Sequence, residues 1–175
     1  CFAEGVEIFV NGVSANPKIM TDSTGKFVAD FEPGETVLLT PQFGEHTFSP
    51  ASWQLKNLNA PVAGILFRDL TKRSLRGTVT GGLCKKGLIG PGQNIVVKVA
   101  DPGSNPCFER TITLHGDADG GDKNFVFSNL PPRELNVSIV FSNPTTFYDY
   151  FQIKGGETVD LRDVNDTIEF NYIAP

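Results

Sequence analysis

The residues best suited to chemistry are the carboxylates of "GDADGGD", in which Asp117, Asp119 and Asp122 are interleaved with glycines that allow a sharp bend. Calcium and similar hard cations take about six to eight oxygen ligands converging on one point, so three clustered carboxylates are a partial donor set. An earlier stretch, "MTDSTGKFVADFEPG", has the same grammar but keeps only Asp22, with Ser23 and Thr24 where further carboxylates would be needed. Both copies retain an Asp that can cap a turn with its own side chain, a Gly free to take positive φ, a Lys, and a Phe opening the next run. The shared feature is therefore a hairpin turn. A calcium site at Asp117, Asp119 and Asp122 would be an addition to the second copy alone.

Other chemistry finds little material. His46 and His115 are far apart, and neither neighbours a Cys or an acidic pair in a recognised spacing, so zinc sites and Ser-His-Asp triads are not indicated. "GPGQN" is Gly-rich but leads into a strand pattern and lacks the Lys of a phosphate loop. No catalytic residue is expected, and the chain reads as non-enzymatic. Binding has better raw material. "TTFYDYFQI" concentrates Phe147, Tyr148, Tyr150 and Phe151, and Trp53 follows "FSPAS" near a strand start. Trp53, Tyr148 and Tyr150 could stack on sugar rings. The alternative is packing, with the phenylalanines in a core and the tyrosines at a seam or a neighbouring subunit.

The elements that must carry these residues are strands. In "RELNVSIVF", Leu135, Val137, Ile139 and Phe141 share one face while Asn136 and Ser138 share the other. "GVEIFV", "KFVADF", "TVLLT", "AGILF", "RGTVTG", "NIVVKV", "ERTITL", "NFVFSNL", "ETVDL" and "TIEFNY" read the same way, and no apolar stripe at helical spacing competes with them. Asn11-Gly12, Pro33-Gly34, Gly81-Gly82, Pro102-Gly103 and Gly155-Gly156 fall between the runs as turns. Eighteen glycines, 12 prolines and 14 phenylalanines suit many short strands packed as a sandwich. A net charge of -5 with scattered Lys and Arg indicates neither a nucleic-acid groove nor an anionic membrane surface. No apolar run approaches the roughly 18 residues of a membrane span.

The grammar repeats at roughly a hundred residues, pairing Asp22 with Asp119, Phe27 with Phe125, and Phe67 with Phe170. Two all-β sandwiches explain this better than one barrel, and the boundary is placed between residues 1–72 and 73–175. Thr21, Asp22, Gly25 and Phe27, then Pro33-Gly34, Phe48-Ser49-Pro50-Ala51-Ser52, Phe67, and Gly77-Thr78-Val79 form an ordered set. That set resembles the tandem carboxypeptidase-regulatory-like and CNA-B-like modules of secreted and surface proteins. The resemblance implies small antiparallel sandwiches of transthyretin-like or immunoglobulin-like topology, acting as stalks, spacers, adhesion units or accessory domains. Some such modules carry a Lys-Asn isopeptide bond, but strand alternation turns Lys98 away from the face of Ile95, Val97 and Val99.

Comparison of the halves adds three expectations. "SLRGTVTGG" precedes Cys84, whereas Cys1 occupies the matching place in the first half, so the first module lacks an opening strand. Either the chain is cut from a longer protein, or a neighbouring subunit supplies the strand through edge pairing. Cys84 and Cys107 belong to the second module and read as a disulfide staple, or else as two small buried thiols. Cys1 is then left free, paired upstream, or bridged to another chain. Asn136 and Asn165 open Asn-X-Ser/Thr sequons compatible with glycosylation. The expectation is an extracellular or cell-surface structural or adhesive unit, a stalk, spacer or filament subunit. It would contact neighbouring modules or subunits, with no cofactor beyond the calcium option, no nucleic acid and no membrane span. The alternative is a carbohydrate-binding accessory module of a secreted enzyme, with glycans as partners.

Overall fold

The structure is a computed structural model that describes residues 3–80, 94–103, 105–116, 122–141, 151–154 and 158–172. Every regular element among them is a strand, as the period-two pattern requires. The chain divides into two compact units, Cys1–Thr71 and Lys72–Pro175.

The second unit shows the complete plan. Its strands are β6 (Arg73–Thr80), β7 (Asn94–Ala100), β8 (Glu109–His115), β9 (Lys123–Leu130), β10 (Glu134–Phe141), β11 (Phe151–Lys154), β12 (Thr158–Asp160) and β13 (Asp166–Tyr172). They form two four-stranded sheets, ordered β12-β10-β7-β8 and β11-β13-β6-β9. Alternate residues point inward and meet in one core: Leu75 and Val79 of β6, Ile95, Val97 and Val99 of β7, Phe125 and Phe127 of β9, and Ile168 and Phe170 of β13. Ile95 on β7 is opposite Leu114 and Phe141, and Val97 is opposite Ile112 and Ile139, so register and hydrophobic pattern agree.

One pairing departs from the expected antiparallel arrangement. β6 and β13 run parallel, with Leu75 opposite Asp166 and Phe170 opposite Val79. They are the first and last strands of the unit, and alternation carries no sign of strand direction. β6 is therefore central, antiparallel to β9 on its other side with Gly77 opposite Phe125. A Cβ at Gly77 would lie 2.2 Å from Phe125 Cζ and 2.8 Å from the Ile168 carbonyl oxygen, so glycine is required there for the ring to cross the strand.

The first unit carries β1 (Glu7–Val10), β2 (Val37–Gln42), β3 (Phe48–Ser49), β4 (Trp53–Leu55) and β5 (Arg68–Asp69). Its three-stranded sheet, β1-β2-β4, repeats the β7-β10-β12 portion of the second unit, and a bridge from Glu7 to Met20 stands where β8 would pair. The ribbon β3-β5 repeats the β11-β13 pairing. Val10 and Val13 close a hairpin over Asn11 (φ 52) and Gly12 (φ 82), the positive-φ pair that Asn-Gly supplies. Val6, Ile8, Val37 and Leu39 are buried, with Phe27, Phe31, Phe43, Phe48, Ile65 and Phe67 packed half-buried against them.

Two sequence expectations fail here. "KFVADF" and "AGILF" read as strands, yet residues 26–31 and 63–67 belong to no strand. They stay extended in burial pattern: Phe27, Ala29 and Phe31 turn partly inward while Val28 and Asp30 are exposed, and Ile65 and Phe67 turn inward while Leu66 is exposed. Side-chain alternation is local, but a ladder needs a partner backbone. Among the described residues of this unit, none occupies the place that β6 holds in the other.

Candidate functional site

Asp22 does what its turn grammar predicts. Its Oδ1 accepts hydrogen bonds from Thr24 N (2.8 Å), Thr24 Oγ1 (2.7 Å) and Lys26 N (3.0 Å), while Gly25 takes φ 70. The Lys26 N–H, then the Thr24 hydroxyl and N–H, hold the Asp22 carboxyl below its ordinary value of 3.8. The carboxylate is thus committed to the corner of the chain. Of the second-copy acidic cluster, Asp117 and Asp119 lie outside the described residues and Asp122 is exposed. Among the described residues no group of three His, Cys, Asp or Glu converges on a point.

Other ionisable groups also hold corners. Glu7 accepts from the Ser14 hydroxyl and, at 3.0 Å, from Lys18 Nζ; these two bonds lower its pKa, the Ser14 bond most. Asp160 pairs with Arg162 two residues on, which lowers the carboxyl and raises the guanidinium. Arg133 Nη1 donates to the buried Asp101 at 3.2 Å, while the Arg133 carbonyl accepts from Leu161 N. Lys98 Nζ lies 2.6 Å from Glu109 Oε2 across the β7-β8 pair, the solvent side that alternation assigned to it.

One pair escaped sequence reasoning. His46 and Asp69, unremarkable in spacing, meet with Nδ1 2.7 Å from Oδ2, and the histidine side chain is 1% exposed. Phe43 packs edge-on against the imidazole with centroids 4.8 Å apart, and Asp69 Oδ1 accepts from Thr71 N. The pair ties the loop before β3 to β5, which is why it is absent from any local motif.

The remaining candidates are scattered rather than gathered. Trp53 opens the edge strand β4 and is 39% exposed; Tyr148 and Tyr150 lie outside the described residues. Asn136 is exposed on β10 with Oδ1 accepting from Thr158 Oγ1 (3.1 Å), and the exposed Asn165 accepts from Ser74 N and Oγ. Cys107 is disulfide-bonded, while Cys1 and Cys84 lie outside the described residues. No helix is long and apolar enough to cross a membrane among the described residues.

The feature that combines position and chemistry is the pair of extended segments in the first unit. Residues 27–31 and 61–67 make no backbone–backbone hydrogen bond among the described residues. They approach closely all the same, Phe27 stacking on Phe67 with centroids 6.4 Å apart. In the second unit Phe125 and Phe170 stand 6.2 Å apart, with β6 paired on both sides.

No protein family and no curated protein matches this chain. Among solved structures it is similar to the Bacillus anthracis TIE protein, at 10% identity and a TM-score of 0.41, over 98% of this chain but 31% of that one. It is also similar to GBS52, the minor pilin of Streptococcus agalactiae (13% identity, TM-score 0.33, 99% of this chain and 85% of that one). A third similarity is to a streptococcal ancillary pilin (14% identity, TM-score 0.36, 99% and 59%). This chain thus spans under a third of the length of the first of these proteins. The architecture it presents by its own strands is an all-β sandwich of sheets.

Proposed function

We propose that the protein is a non-catalytic structural unit of an extracellular or cell-surface assembly, serving as stalk, spacer or filament subunit. One observation carries this reading. A single strand plan occurs twice on one chain, each copy around a buried core of its own, as in a repeated structural unit. Supporting it, the ionisable side chains Asp22, Glu7, Asp69 with His46, and Asp101 with Arg133 are engaged in turns and crossings inside their own unit. The experiment is to label intact cells with antibody against the chain and measure the mass of native material by light scattering. Surface labelling and a mass of many subunits, or of a long multi-module polypeptide, are expected. A small monomer recovered only from the cell interior would overturn the proposal.

A second reading has one observation in its favour. Trp53 offers an exposed flat ring on an edge strand, as a sugar-stacking residue would. Glycan-array binding lost in Trp53→Ala would favour a carbohydrate-binding accessory module.

A further inference from the structure

Among the sheet edges of the second unit, β9 is the one whose residues are most prone to pair again. It is eight residues long and ends its sheet, with β6 as its ladder partner among the described residues. From Asn124 to Asn129 it reads NFVFSN, six residues with no charge, no proline and no glycine. Aromatic and β-branched side chains in an uncharged run of that length are the composition that pairs readily with copies of itself. The strand at the other end of the sheet, β11, has only four residues. An antiparallel copy of β9 centred on Val126 would set Phe125 opposite Phe127, Asn124 opposite Ser128 and Lys123 opposite Asn129. No like charges meet in that register, and Val126, 49% exposed, meets its own counterpart.

Two features blunt this edge. Ser128 and Asn129 together oppose the single residue Ser74, a bulge in which Asn129 takes φ 58 and Ser74 N donates to Asn165 Oδ1 at 2.7 Å. At the same bulge the Ser128 carbonyl accepts from Arg110 Nη1 at 2.6 Å, and Arg110 belongs to β8, the edge of the facing sheet. Arg110 stands opposite the buried Val99, so alternation places it on the core side of β8, yet it remains exposed. Its guanidinium lies 5.7 Å from the centroid of the Phe108 ring, which packs against the core. The cation thus spans the gap between two sheet ends and occupies a backbone acceptor of the edge strand. A charge on the inward side of an edge is one of the means by which sheets resist pairing edge to edge.

We propose that the edge of β9 is a self-pairing surface for a second copy of this chain, and that Arg110 keeps it closed. With the guanidinium in place, an incoming β9 must displace a charge-assisted hydrogen bond and desolvate a cation beside the bulge. Without it, the uncharged run from Asn124 to Ser128 adds a strand in the Val126-centred register. The inference does not depend on the reading of the protein as an assembly unit, since it concerns an edge at which association is suppressed.

The test compares the whole chain with Arg110→Thr, Val126→Lys and the double variant, by light scattering at about 100 µM and by amide hydrogen exchange in β9. Threonine keeps the strand propensity of β8 while removing the guanidinium. Arg110→Thr is expected to show about twice the parent's mass, as a two-fold pairing requires. Exchange in β9 should slow at least about tenfold, and the melting temperature should stay within about 3 °C of the parent. Val126→Lys alone should match the parent. In the double variant the mass should return to the parent's, because the two lysines would face each other at the centre of the pairing. Parental mass for Arg110→Thr overturns the proposal. So does an enlarged mass that survives Val126→Lys, which would place the contact elsewhere. An enlarged mass accompanied by a melting temperature lowered beyond about 3 °C also overturns it, since Arg110 would then be a packing residue whose loss unfolds the unit.

Discussion

Phe27 stacks on Phe67 at 6.4 Å although no ladder joins the segments that carry them. With so few fully buried residues in the first unit, this half-buried contact does much of the packing there. Phe67→Ala is expected to cost about 2 kcal/mol, below the range for a fully buried ring. Urea denaturation should show the loss in the first unit's transition while the second unit's midpoint is unchanged; equal loss in both would contradict separate cores.

Gly77 answers for the opposite situation, a complete sheet with no room. Gly77→Val puts a branched side chain into Phe125 and the Ile168 carbonyl, and should destabilise the second unit by more than about 2 kcal/mol. A melting temperature within a degree or so of the parent would mean that the ring moves aside cheaply.

The Asp22 turn should be sensitive to acid. Its folded pKa lies below the ordinary 3.8, so its contribution is complete above that value and disappears as pH falls through the depressed one. Asp22→Ala should therefore melt earlier than the parent at neutral pH, and the gap should close as pH drops below about 4. A gap that stays constant with pH would show that the carboxylate is not what holds the corner.

His46 and Asp69 should be energetically coupled. A double-mutant cycle of His46→Leu and Asp69→Asn, measured by denaturation, is expected to give an interaction of about 1 kcal/mol. Additive effects would reduce the contact to coincidence of packing.

Cys107 is disulfide-bonded, and Cys84 is its expected partner. Non-reduced peptide mapping should recover a peptide joining these two, and Cys107→Ser should cost about 2–4 kcal/mol. Recovery of Cys107 linked to Cys1 would refute that pairing.

Alternation was legible wherever a strand has one wet and one buried face. "NIVVKV", "RELNVSIVF" and "NFVFSNL" all emerge as β7, β10 and β9 because Ile95, Leu135 and Phe125 must share a core side with their second neighbours. The same signal misled at residues 26–31 and 63–67, where alternation is present and pairing is not. Very short strands such as β3 and β5, two residues each, are beneath the reach of any periodicity. Asp22 could be read in advance because its partners, Thr24 and Lys26, are within four residues. The His46–Asp69 contact spans a separation of 23 residues, and nothing in either neighbourhood announces the other.

By itself, then, the order of residues determined the all-strand composition, the corners and the duplication, since each depends on groups a few positions apart or on a pattern repeated along the chain. Only the tertiary structure decided that β6 runs parallel to β13, that Gly77 lies beneath Phe125, and that residues 26–31 and 63–67 join no strand ladder among the described residues. Strand direction and partner choice are set by main-chain hydrogen bonds, which are the same for every side chain and so leave no mark in the sequence.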